Sequence, residues 1–247
     1  MTAVLPSEQL AVAWESWDRS PKPRSVRWRM PWLERDLGDG PTPGSTIVVG
    51  ADSNVGKTFF ALELLRNFAE DGPAVFLSLE DPPLELGRRM RKSGYSHPNL
   101  YAGFPDPGRV LAEFDSVCAS PLKPLVVAVD YAQCVSGEKE QLDAFMRGIR
   151  ERTLAHGVVS VVTSQINTLP PGVEDVGIPS HNRLKGSRTL KERADVILMM
   201  ATGKERTLVV ECTKAKGAPV GARARYRRAE GGRLVLATTS MEEDADE

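Results

Sequence analysis

A chain of 247 residues, 41% of them hydrophobic and with a formal net charge of −1, can bury one full α/β core but not two large domains. No run of about 18 apolar residues is present, which excludes a membrane-spanning helix, and the stretch Met1 to Glu8 has neither the basic start nor the apolar core of a signal peptide. Cys118, Cys134 and Cys212 are few, odd in number and without a CxxC pair, which points to a reducing cytoplasmic setting, and His97, His156 and His181 have no ligand spacing, so no structural metal is expected.

In chain order, residues 7–19 read as a short amphipathic helix with Ser7 as N-cap and Leu10, Ala13, Trp14 and Trp17 on one face. That stripe is too narrow for a core and calls for a neighbouring surface. Residues 20–30 form a basic, Pro-containing linker, and Pro31 to Leu37 a helical turn. Residues 1–30 are therefore set apart from a main domain at 31–238, and 239–247 from both as an acidic disordered tail. After a Gly/Pro loop, Ile47-Val-Val49 is a β-branched apolar run that predicts a buried strand. Phe59 to Leu65 predicts a buried helix. Further strands are expected at 74–79, 125–129, 158–163, 194–200 and 207–213, with helices at 84–92, 110–118 and 141–156. Residues 93–108 read as loop around a short strand. The segments 222–228 and 233–238 pair as a hairpin around Glu230-Gly-Gly232. Alternating strands and helices predict an α/β fold with a mostly parallel sheet, helices on both faces and antiparallel strands at the end.

Between the first strand and helix lies Ala51-Asp52-Ser53-Asn54-Val55-Gly56-Lys57-Thr58, followed by Phe59. This is a phosphate-binding loop with Ala51 at the usual position of its first Gly, and Gly50 is expected to take over part of the turn. Backbone N–H groups of such a loop and of the helix N-terminus face an anion. Lys57 suits the β- and γ-phosphates, and the Thr58 hydroxyl suits Mg²⁺. Ligands of a parallel sheet sit beyond the C-terminal strand ends. There the sequence also places Glu80, Asp130 and Gln165. Asp130 fits a Mg²⁺ aspartate, Glu80 a general base and Gln165 a γ-phosphate sensor. No obvious Arg finger stands near the phosphate loop, so cationic help is expected from across a subunit boundary.

At these residues a resemblance emerges. The phosphate loop, Phe76-Leu-Ser-Leu-Glu80, Val127-Ala-Val-Asp130-Tyr-Ala-Gln133, Val162-Thr-Ser-Gln165-Ile-Asn167, Gly186 to Ile197 and Thr213-Lys214-Ala-Lys216-Gly-Ala-Pro219-Val-Gly221 resemble the motifs of DnaB-type replicative helicases, within the RecA-like P-loop ATPases. The resemblance covers about residues 30–236 in unbroken order. It implies a RecA-like core that hydrolyses ATP with Mg²⁺. Lys57 and Thr58 would be its phosphate-loop pair, Glu80 its base, Asp130 its metal aspartate and Gln165 its sensor. Lys214 and Lys216 would be the cationic fingers offered to a neighbour's γ-phosphate in a homo-oligomeric ring, expected to be a hexamer. Lys216 stands where the family has Arg, so it lacks the bidentate fork, and Thr168 stands where the family commonly has Arg. In position, the helix at 7–19 resembles the family's linker helix that docks on the next subunit.

Fourteen Lys/Arg stand against five Asp/Glu from Arg183 to Arg233, and residues 241–247 carry five acidic residues. The basic third suits a polyanion, and it also fits a solvated charged face. In the loop at 168–188, Arg183, Lys185 and Arg188 are the expected contacts to single-stranded DNA. Two function classes follow. One is a ring-forming, ATP-dependent DNA helicase or single-strand translocase. The other is a non-motor RecA- or KaiC-like DNA-binding ATPase acting as recombination mediator or regulator.

Overall fold

The computed structural model describes residues 25–134, 138–167, 177–185 and 188–239. The expected helix at 7–19, Thr168 and the acidic tail after Ser240 lie outside them. The strands are β1 Thr46–Ala51, β2 Ala74–Ser78, β3 Leu100–Gly103, β4 Val126–Asp130, β5 Val159–Gln165, β6 Val196–Thr202, β7 Leu208–Ala215, β8 Arg223–Arg228 and β9 Leu234–Thr239. The helices are α1 Pro31–Leu37, α2 Lys57–Ala69, α3 Pro83–Ser93, α4 Val110–Ala119, α5 Lys139–His156 and α6 Arg188–Arg193.

All nine strands form one sheet in the order β3-β2-β4-β5-β1-β6-β7-β8-β9. The first six in that order run parallel, and β7, β8 and β9 continue antiparallel. The parallel strands are buried on both faces, which is why they appear as continuous apolar runs rather than as alternating ones. Side-chain alternation divides the core in two. Ile47, Val49, Phe76, Ala128, Val161 and Leu198 face a layer made by α1, α2 and α3. Val48, Leu77, Val127, Val162 and Ile197 face α4, α5 and α6. Burying each such aliphatic or aromatic side chain contributes roughly 1.5–3 kcal/mol. The hairpin strands β8 and β9 bury Ala224, Tyr226 and Leu234 in the first layer alone. Their sequence therefore alternates, with Arg223, Arg225 and Arg227 on the opposite side of β8.

The segment 25–30, read as a linker, is extended, and its apolar residues belong to the core. Val26, Trp28 and Met30 are buried, while Arg27 and Arg29 point outward. Asp71 takes the Arg27 N–H at 2.8 Å and the Arg29 guanidinium at 2.7 Å. The period of two in this stretch is that of a strand-like strap. Trp28 packs against Phe68 of α2 with ring centroids 5.7 Å apart. Just beyond, the Trp32 indole N–H donates to the Tyr226 hydroxyl at 2.8 Å, which satisfies two polar atoms in an otherwise apolar layer.

The sheet has two chemically different ends. At the N-terminal ends of the parallel strands, the Arg150 guanidinium ties α5 to the Gly44 carbonyl at 2.7 Å and to Asp195, and Asp195 also accepts from the Thr46 N–H. At the C-terminal ends the chain leaves β1 into the phosphate loop, β2 into Glu80 and β5 into the segment bearing Arg183 and Lys185. Among the described residues, no helix is long and apolar enough to cross a membrane.

Candidate active site

The phosphate loop is a turn between a fully buried strand and a helix whose first residue is Lys57. Two residues carry its sharp bend: Asn54 with φ of 63° and Gly56 with φ of 114°, the left-handed region that glycine enters without strain. Gly50 does not take part in the turn, contrary to the expectation from sequence. It sits inside β1, paired in register with Ser164 and Met199. Its missing side chain leaves room for Leu184 and Met199, whose atoms would lie 2.4 Å and 2.7 Å from a Cβ there. Ala51 is the last strand residue, paired with Gln165.

Lys57 is buried, and its ammonium donates to the Ala51 carbonyl at 3.3 Å and the Asp52 carbonyl at 2.9 Å. Burial pulls its pKa down, and Asp130, Glu80 and Asp52 oppose that pull. The Thr58 hydroxyl donates to one oxygen of Asp130 at 2.6 Å, and the Thr163 hydroxyl donates to the other. Asp130 is buried, which raises its pKa against these hydrogen bonds and the nearby Lys57. Glu80 follows β2. Its pKa is also raised, first by burial and then by Asp130 and Asp81, with Lys57 and Arg89 opposing. The neighbouring Asp81 is fixed by Arg89 at 2.8 Å and by the Ser78 hydroxyl, which accepts from its N–H.

Gln165 closes β5 beside Ala51. Its N–H donates to the Gln133 side-chain carbonyl at 3.0 Å, and the Gln133 amide donates to the Ser164 hydroxyl and the Lys185 carbonyl. Gln133 stands in a motif quoted from the sequence, but without a role there. In the structure it joins β4, β5 and the segment after the loop.

A cavity of about 440 Å³ opens over these residues. Ser53, Asn54, Gly56, Lys57, Thr58 and Phe59 line it from the phosphate loop, with Glu80 and Gln165 from the strand ends. Asp52 and Val55 belong to the same turn. The expected Lys57, Thr58, Glu80, Asp130 and Gln165 thus converge. Lys214 and Lys216 do not join them. They lie where β7 pairs with the start of β6, Val196 against Ala215, at the far end of the sheet. The Lys214 ammonium donates to the carbonyls of Lys191 and Ala194. It therefore neutralises the C-terminal end of α6.

Arginines distant in sequence do line the cavity. Arg228 of β8 lines the cavity together with Arg88, Arg89 and Lys92 of α3. The Arg228 guanidinium donates to the Val55 carbonyl at 2.6 Å and lies 5.8 Å from the Phe59 ring centre. Arg88 and Arg89 both pair with Glu85. Arg228 is 173 residues from Val55, so no local spacing could have announced it.

Of the three residues expected to hold DNA, Arg183 and Lys185 lie beside Gln165. The Asn167 N–H donates to the Arg183 carbonyl and the Lys185 N–H to the Gln165 carbonyl, so the two stems of the loop pair at the end of β5. The Arg183 guanidinium donates to the Asn167 carbonyl at 2.6 Å. Lys185 is exposed. Arg188 forms an ion pair with Glu192 one turn along α6, which reduces the charge it offers to a partner. Among the described residues, no group of three or more His, Cys, Asp or Glu could hold a metal.

The chain matches no protein-family model. It is 27% identical to the DNA repair protein RadA of Mycolicibacterium smegmatis over 170 residues, 67% of this chain and 35% of that protein. It is 24% identical to the RadA of Haemophilus influenzae over 185 residues, 71% of this chain and 37% of that one. The chain thus matches only about a third of the length of these curated relatives. Among solved structures it is similar to a DnaB-like replicative helicase, with a TM-score of 0.74 and 18% identity over 95% of this chain and 67% of that one. The ATPase domain of G40P gives the same score and identity over 94% and 98%. A KaiC-like protein of Pyrococcus horikoshii gives 0.66 and 18% over 88% and 100%. The fold is the RecA-like one that these three structures share.

Proposed function

We propose that this protein is an ATP-dependent DNA helicase or single-strand translocase of DnaB type, which hydrolyses ATP at the subunit interfaces of a ring. The observation that carries the reading is the convergence of Lys57, Thr58, Glu80 and Gln165 on one cavity at the C-terminal end of a parallel sheet, with the buried Asp130 bonded to Thr58 behind it. Backbone N–H groups of residues 53–58 and the Lys57 ammonium would take the β- and γ-phosphates in place of the carbonyls that Lys57 now holds. Glu80 would draw a proton from the attacking water, a task that its raised pKa suits. Gln165, tied through Gln133 to Lys185, would pass the state of the γ-phosphate to the segment carrying Arg183 and Lys185. That segment would follow the phosphates of single-stranded DNA.

The donor set fits Mg²⁺. Asp130 and Thr58 supply only hard oxygens, and the Thr58 hydroxyl already rests on the Asp130 carboxylate. Those two residues would hold the ion, Asp130 mostly through water. Mg²⁺, when bound, would neutralise charge on the β- and γ-oxygens. A cytoplasmic setting fits Cys118 and Cys212, which are both free thiols.

The reading is tested by strand displacement on a forked DNA duplex with ATP and Mg²⁺. Displacement that stops in a Lys57→Ala chain is the expected result. A second reading, a non-motor RecA- or KaiC-like ATPase acting on DNA as mediator or regulator, is favoured by the internal engagement of Lys214. DNA-stimulated hydrolysis without displacement would select it.

A further inference from the structure

The fold layer that carries α2 and α3 contains a connection that the phosphate-loop chemistry leaves unexplained. The β8–β9 turn, residues 229–232, is docked on the C-terminal end of α3. The Ser93 hydroxyl donates to the Gly231 carbonyl at 2.7 Å. A Cβ on Gly231 would stand 2.1 Å from the Lys92 carbonyl, and Gly231 has φ of 82°, so only glycine seats this turn without displacement. The Tyr95 hydroxyl, just past α3, accepts the Leu234 N–H at 3.0 Å. This anchored turn fixes the end of β8, and β8 ends at Arg228.

Arg228 in turn holds the phosphate loop. Its guanidinium donates to the Val55 carbonyl and lies over Phe59, the third residue of α2. A Cβ on Gly56 would lie 2.5 Å from the same guanidinium, so the side chain hugs the backbone at the residue where the loop enters its left-handed bend. Helix α3 begins three residues after Glu80 and is locked to Asp81 through Arg89. A continuous set of contacts therefore runs from the Glu80 segment along α3, through the hairpin turn and Arg228, to Val55 and Gly56.

We propose that Arg228 is a positioning residue for the phosphate loop. Through the Val55 carbonyl it sets the loop shape that aims N–H groups at phosphate, and the hairpin turn ties that shape to α3 and the Glu80 segment. The proposal rests on the reading of the cavity as a triphosphate site. A loop held in its binding shape before the ligand arrives loses less freedom on binding. Losing Arg228 therefore weakens phosphate capture and leaves the chemistry of bound ATP nearly intact.

The test uses the full chain with ATP and with inorganic tripolyphosphate, which has the phosphates and no nucleoside. Arg228→Ala is expected to raise the KM for ATP and the Kd for tripolyphosphate together, by about tenfold, the usual effect of one lost charge-assisted hydrogen bond. The kcat should stay within about twofold. Arg228→Lys, which keeps one donor, should recover part of the affinity. Ser93→Ala, which frees the turn without adding volume, should move both constants in the same direction. The Arg228→Ala/Ser93→Ala chain should be no worse than the poorer single variant, because both changes act through one connection. Unchanged affinity for both ligands in Arg228→Ala overturns the proposal. So does a loss confined to ATP, since Arg228 would then touch the nucleoside. Additive losses in the double variant remove the hairpin from the connection and overturn that half. A Lys57→Ala chain that still binds tripolyphosphate normally would instead show that the cavity is not a phosphate site, a failure of the functional reading itself.

Discussion

Lys57 and Glu80 illustrate how burial prepares single residues for charge chemistry. Without an anion, the Lys57 ammonium is held by two loop carbonyls in a site that disfavours its charge. A triphosphate would replace neutral acceptors with charged ones. Lys57→Ala should therefore abolish hydrolysis, since among the cavity's other cations Arg88 and Arg89 are engaged by Glu85 and Arg228 by the Val55 carbonyl; steady-state phosphate release checks this, and wild-type turnover would refute the site. Glu80→Gln should still bind ATP, because binding rests on the loop, but should hydrolyse about 10²–10⁴-fold more slowly. Single-turnover kinetics beside equilibrium binding separates the two effects. The pH dependence has a definite sign. A base works only when ionised, and the Glu80 pKa lies above the ordinary value because of burial, Asp130 and Asp81. The kcat/KM of the free enzyme should fall on acidification at a higher pH than an ordinary carboxylate would give. Asp81→Asn removes one of the charges that raise this pKa and leaves in place Arg89, still paired with Glu85, which lowers it. The acid limb should then move to lower pH, and a limb that does not move would mean another group limits the rate.

Among the elements, legibility follows the range of the interactions that make them. Strands β1, β4 and β5 were readable as β-branched apolar runs because both of their faces are buried. The phosphate loop was readable because its chemistry is contiguous. The edge strand β3 carries only one buried residue, Leu100, and the sequence yielded no more than a short strand somewhere in 93–108. The strap at 25–30 reads as linker in the sequence because its charges, Arg27 and Arg29, are a local signal. What buries Trp28 and Met30 is distant in sequence: Trp28 packs on Phe68 of α2, and Met30 meets Tyr226 of β8. Arg228 was invisible for the same reason, and Lys214 was given a role outside its subunit although its nearest acceptors are the end of α6. The stems of the loop after β5 are paired, with Arg183 and Lys185 next to Gln165. If this element meets single-stranded DNA, an Arg183→Ala/Lys185→Ala chain should bind more weakly and lose about 0.7 in log–log salt slope for each phosphate contact removed. Arg188→Ala should change less, since Glu192 already compensates that charge. Equal slopes for both variants and the unaltered chain, measured by fluorescence anisotropy on a short oligonucleotide, would place the DNA elsewhere.

For the whole molecule, the two ends of the sheet set the expected assembly. The cavity opens at the C-terminal ends of the strands, and Lys214 and Lys216 stand at the opposite end. One chain cannot bring them together without unfolding its sheet, whereas two chains stacked head to tail can. Such a heterologous contact closes into a ring when its rotation permits. The two lysines are not equivalent. Lys214 is half-buried, its pKa lowered first by that burial, and it holds the end of α6. Lys214→Ala should then reduce thermal stability as well as activity. Lys216 is exposed, and its backbone N–H donates to the Asp195 carbonyl. Its side chain is the better candidate to reach a neighbour's γ-phosphate. Mixing a Lys57→Ala chain with a Lys216→Ala chain tests this directly. Each should be inactive, or nearly so, alone. Mixed assemblies should recover part of the activity, because some interfaces pair an intact phosphate loop with an intact Lys216. The recovery should peak near equal proportions and vanish on dilution below the assembly concentration. A Lys216→Ala chain with full activity, or a mixture with no recovery at concentrations where the chains associate, would show that Lys216 is a surface charge. Catalysis would then depend on cations inside one subunit, such as Lys57 and the α3 residues Arg88, Arg89 and Lys92 that line the cavity.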